Sequence, residues 1–415
     1  MNSRPRPPRT TTCRQQHGAV AVMVALSLAV LVGAAGLAID GGRLYINKSE
    51  LQTAVDACAL AASRELVCDA ATSGCLENAE AAGTTAAARN RIDLQQGAAP
   101  AMTVTFSTTL SGTYSPRASA VNNARYVRCT ASQTGLAPWL MGVLGSGDST
   151  VSASAVATPA PSQDFCLSTP MTLCSNGGGT NFGYTVNQWI TATSDNNDKL
   201  SGAMRWASLT GNTSTTAVRD QFSSATPVCG YGNGSPVTVS NGTQQGVKSA
   251  YNTRFGLYPN GANAAGPTDV PPDRTGYAYP TNAHPVNGTN VLSDYRGRRN
   301  SHTPFTPNDY RGNPQGGGGN PRGSYSGTPI TTQQHQDHGA DRRLIAVPVV
   351  NCSAASPTVQ GSACLLMLNP MGAGASSNLY MLYLGNASAS GAACGSTGTP
   401  GGSGSTGPRV PTLVQ

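Results

Sequence analysis

The run AVAVMVALSLAVLVGAAGLAI, residues 19–39, decides the fold of this chain of 415 residues. It is 21 residues long and carries no charged side chain. An α-helix rises about 1.5 Å per residue, so a helix of this length crosses a hydrocarbon core of about 30 Å. The run therefore predicts a single transmembrane helix near the amino terminus.

A cleaved signal sequence is the alternative interpretation of the same run. Gly36 and Ala38 are small residues near its end, as a signal peptidase site requires. The apolar region of a signal sequence usually has about 7 to 15 residues, however, and this run is longer. We therefore expect an uncleaved anchor, and a secreted surface adhesin is the alternative if the run is removed.

The charges on either side of the run predict its direction in the membrane. Four arginines precede it: Arg4, Arg6, Arg9 and Arg14. The charges that follow it nearly cancel: Asp40, Arg43, Lys48 and Glu50. Positively charged flanks stay in the cytoplasm. We predict a basic cytoplasmic arm at residues 1–18, a single-pass helix at 19–39 in the inner membrane, and a periplasmic region from residue 40 onward.

Small residues recur along one side of the predicted membrane helix. Ala25, Ala29 and Gly33 are four residues apart, and Gly36 follows on the same side. Such a stripe lets a second helix approach closely in lipid, where packing drives association. Alanine and glycine are also abundant throughout this run, so the stripe marks a candidate packing face without naming its partner.

Composition excludes several classes of protein. Charged residues make up only 11% of the chain, which argues against a coiled-coil rod and against a highly charged disordered polymer. The net charge is +7, but four of these charges lie in the amino-terminal arm. Nucleic acid is therefore not expected as a partner, because the rest of the chain is nearly neutral.

Downstream of the run, the hydrophobic pattern changes period several times. Apolar residues at helical spacing after residue 40 predict an amphipathic helix that continues the membrane helix, and alternating patterns near 103–107, 126–132 and 151–157 predict strands. The fold class is therefore α+β, with a β-rich and loop-rich outer region. The predicted segments are an α+β module (40–160), a small mixed domain (161–259), a Gly/Pro/Asn-rich loop region (260–340), β-strands that complete the outer domain (341–390) and a flexible tail (391–415).

The cysteines support export. Cys13 precedes the run, and ten cysteines follow it: Cys58, Cys68, Cys75, Cys129, Cys166, Cys174, Cys229, Cys352, Cys364 and Cys394. An even number in an oxidising compartment predicts a disulfide framework, and we expect at least three bonds. Short-range pairs such as Cys166 with Cys174, or Cys352 with Cys364, are plausible closures from spacing alone.

Known catalytic motifs are missing from the sequence. It has no HExxH, no GxSxG and no Walker lysine. One cluster, formed by His335, Asp337, His338 and Asp341, has the residue types that bind a metal. A periplasmic metal-dependent hydrolase using these four residues is an alternative function, but we predict that the chain is not an enzyme and has no cofactor.

The segment from Gly18 to residue 66 closely resembles the amino-terminal module of TadE/TadG-like proteins of tight-adherence (Flp) pilus assembly. The resemblance rests on the basic arm, the glycine before an apolar run, Asp40 at its end, and the motifs Leu44-Tyr, Leu51-Gln and Val55-Asp-Ala-Cys-Ala-Leu-Ala. Weaker similarity extends through residues 126–156, which look like the family's strand, short helix and strand. Cys166-x3-Pro-x3-Cys174 is similar to a cysteine pair in some longer members.

The resemblance implies a pilin-like module at 40–160 and a membrane-anchored structural role in assembling a Flp (type IVc-like) pilus. Its partners would be the inner membrane and other pilus-assembly proteins, contacted through the membrane helix and the outer domain. Pseudopilins of this system carry a glutamate five residues after the processing glycine, whereas this chain has Met23 there. The DxSxS motif of a von Willebrand factor A domain is also missing. The resemblance therefore implies an uncleaved, TadG-like assembly protein.

Overall fold

The structure, a computed structural model, describes residues 17–66, 74–195, 197–208, 210–224, 226–240, 246–259, 270–279, 291–306, 327–372, 376–396, 398–402 and 405–415. The arm predicted at residues 1–18, with its four arginines, therefore lies almost wholly outside the described residues. Cys13 and Cys68 lie outside them as well.

Helix α1 (His17–Glu65) contains both helices predicted from the amino-terminal sequence. Its 49 residues correspond to a rod of about 73 Å. No proline interrupts this stretch, so the backbone hydrogen-bond pattern runs unbroken from the apolar half into the amphipathic half. The predicted continuation of the membrane helix into an amphipathic helix is confirmed.

The other helices among the described residues are short. They are α2 (Cys75–Ala88), a 3-10 turn (Met141–Leu144), α3 (Thr215–Ser223), α4 (Val247–Thr253), α5 (Val291–Asn300) and α6 (Thr332–His338). Helix α2 packs closely on α1 because Gly83 has no side chain. A Cβ atom at Gly83 would lie 3.1 Å from Ala62 Cβ and 3.1 Å from Cys58 Sγ.

The strands, in chain order, are β1 (Arg91–Ile92), β2 (Gly97–Ala98), β3 (Thr103–Ser107), β4 (Tyr126–Leu136), β5 (Ser149–Leu167), β6 (Met171–Cys174), β7 (Trp189–Asp195), β8 (Leu200–Gly202), β9 (Met204–Ser208), β10 (Val228–Tyr231), β11 (Thr238–Ser240), β12 (Leu257–Tyr258), β13 (Thr328–Pro329), β14 (Leu344–Val350), β15 (Val359–Met367), β16 (Ser376–Asn386), β17 (Gly398–Pro400) and β18 (Arg409–Leu413).

The carboxyl-terminal half of α1 packs on the first sheet. The main order of this sheet is β10-β5-β4-β3, and β17 and β18 also pair with β5. Val127, Cys129 and Ala131 alternate on β4 and are buried in the same core as Leu51 and Val55 of α1. The order of strand, short helix and strand expected at residues 126–156 is present as β4, the 3-10 turn and β5.

The second sheet forms the outer domain, in the order β11-β9-β6-β14-β15-β16-β7-β8 among the described strands. Strands β6 and β14 are parallel, and the other neighbouring pairs are antiparallel. Val347 and Leu365 pack with α3 and α4 on one face, whereas Leu366 and Leu382 pack with α5 on the other. Burial of both faces explains why the sequences of β14, β15 and β16 are nearly continuous apolar runs.

This sheet crosses the boundaries predicted from the sequence. Strands from 161–259 and from 341–390 lie side by side in it, so the expected small mixed domain and the expected completing strands share one sheet. The register of β6 and β14 sets Cys174 beside Val350. Pairing between strands more than 170 residues apart leaves no local pattern in the sequence, which is why the composition shifts suggested separate units.

Two predicted loop segments contain ordered elements. In place of a free tail after residue 391, β17 and β18 pair with β5, and Val410 is buried. Within the predicted loop region 260–340, α5 and α6 carry Tyr295 and His335 into the core. These segments bury scattered single side chains rather than a periodic apolar face, so hydrophobic periodicity did not reveal them.

Four disulfides join the described residues: Cys58–Cys129, Cys166–Cys229, Cys174–Cys352 and Cys364–Cys394. Cys75 is disulfide-bonded as well. The predicted disulfide framework is confirmed, but the short-range pairs suggested from spacing are not formed. Strand pairing decides the partners, because β5 lies beside β10 and β6 lies beside β14.

Candidate functional site

Helix α1 meets the rest of the chain along one face where its apolar half ends. Gly36, Asp40, Arg43 and Asn47 are spaced by four, three and four residues, which places them on the same side of the helix. Gly36 lies against the start of the 3-10 turn. A Cβ atom there would be 3.2 Å from Met141 Sδ, so the absence of a side chain permits the close contact.

Asp40 holds the start of the 3-10 turn. Its carboxylate accepts hydrogen bonds from the backbone N–H groups of Trp139, Leu140 and Met141, at 2.8, 3.0 and 2.7 Å. These bonds lower the pKa of the Asp40 carboxyl, with the bond from Met141 as the largest cause. The first N–H groups of a helical turn have no partner within the turn, so Asp40 acts as a cap supplied by another helix.

Arg43 joins a second loop to the same face of α1. Its guanidinium binds both carboxylate oxygens of Asp93, with two N–O distances of 3.1 Å, and donates to the carbonyl of Ala137 at 2.8 Å. The hydrogen bond from Arg43 is the main cause of a lowered pKa at Asp93. The Arg43 Cζ atom also lies 4.7 Å from the ring centre of Trp139. We call Asp40, Arg43, Asp93 and Trp139 the junction.

Polar side chains of α1 continue the contact beyond the junction. Lys48 donates to the carbonyl of Ser152, and Gln52 donates to the carbonyl of Ser154 at 3.1 Å. Both carbonyls belong to β5, so α1 binds the backbone of the sheet as well as its apolar face. The angle between α1 and the sheet is thus fixed by hydrogen bonds at several levels.

The amino-terminal half of α1 has no comparable contacts within the described chain. Its large apolar side chains are between 42% and 71% exposed: Val20, Val22, Met23, Val24, Leu26, Leu28, Val30, Leu31, Val32, Leu37 and Ile39. By length and composition, this helix is able to cross a membrane. A patch of this size is unusual on a protein surrounded by water.

The small-residue stripe divides into two parts. Ala25 and Ala29 are exposed, and Gly33 is partly exposed, so the predicted packing face is accessible along these three residues. Gly36 is buried against residues 140 and 141 of its own chain. Gly36 therefore serves an internal contact, whereas the role of the other three in helix packing is still a prediction.

The four residues predicted to bind a metal are not brought together. His335 is buried, and its Nδ1 atom lies 2.7 Å from the carbonyl oxygen of Asp273. Asp341 forms ion pairs with Arg274 and Arg299. Asp337 and His338 are exposed on α6. Among the residues that the structure describes, no group of three or more His, Cys, Asp or Glu side chains is placed to hold a metal ion.

Asp40 stands out in the sequence, at the end of the apolar run, but the junction does not. Asp40 is about 100 residues from the N–H groups that it binds, and Arg43 is 50 residues from Asp93. No spacing rule connects residues this far apart. Asp40 itself was a usable signal of a contact. A carboxylate directly after an apolar run needs a hydrogen-bonding partner if it is removed from water.

A known family matches the amino-terminal region of the chain. Residues 18–72 match the sequence model of the family described as "Putative Flp pilus-assembly TadE/G-like". The matched region covers the apolar half of α1, the junction residues of α1 and the buried half of the helix. The resemblance inferred from the sequence is confirmed for this amino-terminal region. No curated protein and no solved structure matches the chain.

Proposed function

We propose that the chain is a membrane-anchored structural component of Flp pilus assembly. In this proposal, residues 19–39 span the inner membrane, the arm at 1–18 lies in the cytoplasm, and the disulfide-braced domain projects into the periplasm. The observation that carries the proposal is the large exposed apolar surface of α1 before residue 40, within a region that matches a pilus-assembly family.

Physical chemistry supports insertion of this half into lipid. Moving a Val, Leu or Ile side chain from water to an apolar medium stabilises it by about 1.5–3 kcal/mol. Eleven large apolar side chains of α1 are exposed before Asp40. The backbone of a helix satisfies its own hydrogen bonds, so the segment brings no unpaired polar groups into the bilayer.

The junction supports a role in which the membrane helix and the first sheet move as one body. Because α1 is continuous and is bound by Asp40 and Arg43, a displacement of the helix in the membrane would be transmitted to the periplasmic sheet. The accessible stripe at Ala25, Ala29 and Gly33 offers a face for the helix of another assembly protein.

Topology and assembly test the proposal in the producing cell. With an epitope at the carboxyl terminus, we expect protease to remove the epitope in spheroplasts but not in intact cells, and alkaline extraction to leave the chain in the membrane. Deleting the gene should abolish pili, and the full-length chain should restore them. Release of the chain into the medium, with an amino terminus near Ile39, would instead favour the secreted adhesin.

A matched control addresses orientation. Replacing the four arginines of the arm by glutamine removes the positive charge that holds the amino terminus in the cytoplasm. We expect a larger fraction of inverted chains, whose epitope resists protease in spheroplasts. An unchanged orientation would show that another feature determines the direction of insertion.

A further inference from the structure

We propose that the segment 138–144 is a membrane-interface anchor, which lies in the headgroup layer beside α1 and places the indole ring of Trp139 among the lipids. This inference rests on the proposed insertion of residues 19–39. It goes further because it assigns a lipid contact to a part of the chain about 100 residues away from the membrane helix.

The segment lies level with the outer end of the apolar run of α1. Leu140 and Met141 lie against Gly36, which belongs to the last helical turn of the apolar run. Trp139 lies further out, where its N–H binds Asp40 and its ring faces the guanidinium of Arg43. The chain therefore descends along α1 towards the membrane between residues 139 and 141.

The depth of Trp139 in the bilayer follows from its level along α1. Arg43 lies four residues beyond the end of the apolar run, a distance of about 6 Å along the helix axis. The headgroup layer on each side of the hydrocarbon core is about 5–7 Å thick. Trp139 is held between the levels of Asp40 and Arg43, so it falls within this layer.

The exposed surface of the segment carries a side chain that favours a membrane interface. Trp139 is 58% exposed, which is unusual for the largest apolar side chain, and tryptophan is enriched at membrane–water boundaries. Asp40 satisfies the N–H groups of residues 139–141, and Arg43 satisfies the carbonyl of Ala137. The backbone of the segment can therefore enter a region of low polarity without leaving these groups unpaired.

Apolar residues of the segment adjoin the surface of α1 that enters the bilayer. A groove of about 190 Å³ runs between α1 and the segment, and its walls include Leu37, Leu136, Pro138 and Met141. Leu37 is 67% exposed and belongs to the apolar run itself. Asp40 and Arg43 also line the groove, but its walls are mostly apolar. Apolar side chains thus extend from the membrane helix to the segment, which favours lipid over a separate protein partner as the occupant.

The test measures the contact of Trp139 with lipid in the full chain. The protein is reconstituted into phosphatidylcholine vesicles, and its fluorescence is compared with that of Trp139→Phe, so that the difference spectrum reports Trp139. Trp189 and Trp206 belong to the outer sheet and supply the common background. We expect lipid brominated near the headgroup end of its acyl chains to quench the difference emission at least twofold, more strongly than lipid brominated near the chain terminus.

The outcomes separate this inference from the proposed function. If the chain floats with the vesicles but Trp139 is quenched fully by aqueous acrylamide and not by brominated lipid, the anchor is refuted, and the Trp139 surface is left for a protein partner. If the chain does not float with the vesicles, the proposed membrane insertion fails, and the anchor fails with it. Circular dichroism of Trp139→Phe checks that the fold is retained.

Discussion

The two halves of α1 share one unbroken backbone but lie in opposite surroundings. Before residue 40, Leu31 and its neighbours are exposed, whereas after residue 50, Leu51, Val55, Cys58 and Ala62 are fully buried. The first half is apolar on every side, but the second half is apolar on one face and carries polar residues on the others. The distribution of apolar residues around a helix therefore decides whether it faces lipid or a protein core.

The largest effect we expect comes from removing the disulfide of the buried half. Cys58→Ala together with Cys129→Ala opens a loop of 71 residues, which should lower the free energy of unfolding by about 4 kcal/mol. Chemical denaturation of the full chain in detergent, compared with the unmodified chain, measures the change. Membrane association should be unaffected, and loss of it would show that the two halves are not independent.

A single substitution made in each half sharpens the comparison. Leu51→Ala creates a cavity in the core beneath α1 and should destabilise the domain by about 3 kcal/mol. Leu31→Ala removes the same atoms from an exposed position and should leave the denaturation midpoint of the domain unchanged. Equal losses in both variants would contradict the assignment of the first half to lipid.

Between about pH 6.5 and pH 4, acid should destabilise the outer domain through His335, whereas the lowered pKa values of Asp40 and Asp93 make the junction sensitive to acid only below about pH 4. Burial, with smaller effects from Arg343 and His302, lowers the pKa of His335 from 6.5 to about 4 in the folded chain. The unfolded chain therefore binds a proton first as the pH falls, so stability is lost between about pH 6.5 and pH 4, by at most about 3 kcal/mol. Denaturation at several pH values measures the loss, and His335→Gln should flatten it in this window.

The smallest effect on stability is expected in the stripe of the exposed half. Gly33→Leu should leave insertion and the folded domain intact, since leucine is favourable in the hydrocarbon core, but it should weaken pilus assembly by blocking close approach of another helix. Leu31→Ile is the control, because it changes the shape of a residue outside the stripe. If both variants form pili equally well at equal amounts of protein in the membrane, the small residues reflect the composition of the run and not a packing face.

Substitution at Gly36 should behave differently from substitution at Gly33. A leucine at Gly36 would collide with Met141 and Leu140 of the same chain, so it should disturb the junction as well as the membrane helix. Hydrogen exchange at residues 137–145 measures local unfolding there and distinguishes the two variants. Identical exchange in both would argue against the internal role of Gly36.

The sequence by itself determined the features that depend on neighbours along the chain. The apolar run predicts α1 because length and charge are local properties, and alternation at residues 126–132 and 151–157 predicts β4 and β5 in the same way. The even number of cysteines after the apolar run predicts disulfides because it is a property of composition. The family resemblance of the amino-terminal region could also be recognised from the sequence, because its motif lies within one helix.

Only the tertiary structure decided which distant groups meet. The disulfide partners follow from strand neighbours, and β6 and β14 join segments that composition had separated. Asp40 binds N–H groups about 100 residues away. His335 and Asp341 bind different partners and do not meet at one site. Such contacts arise when the whole chain packs and every buried polar group must find a partner, a condition that no local pattern records.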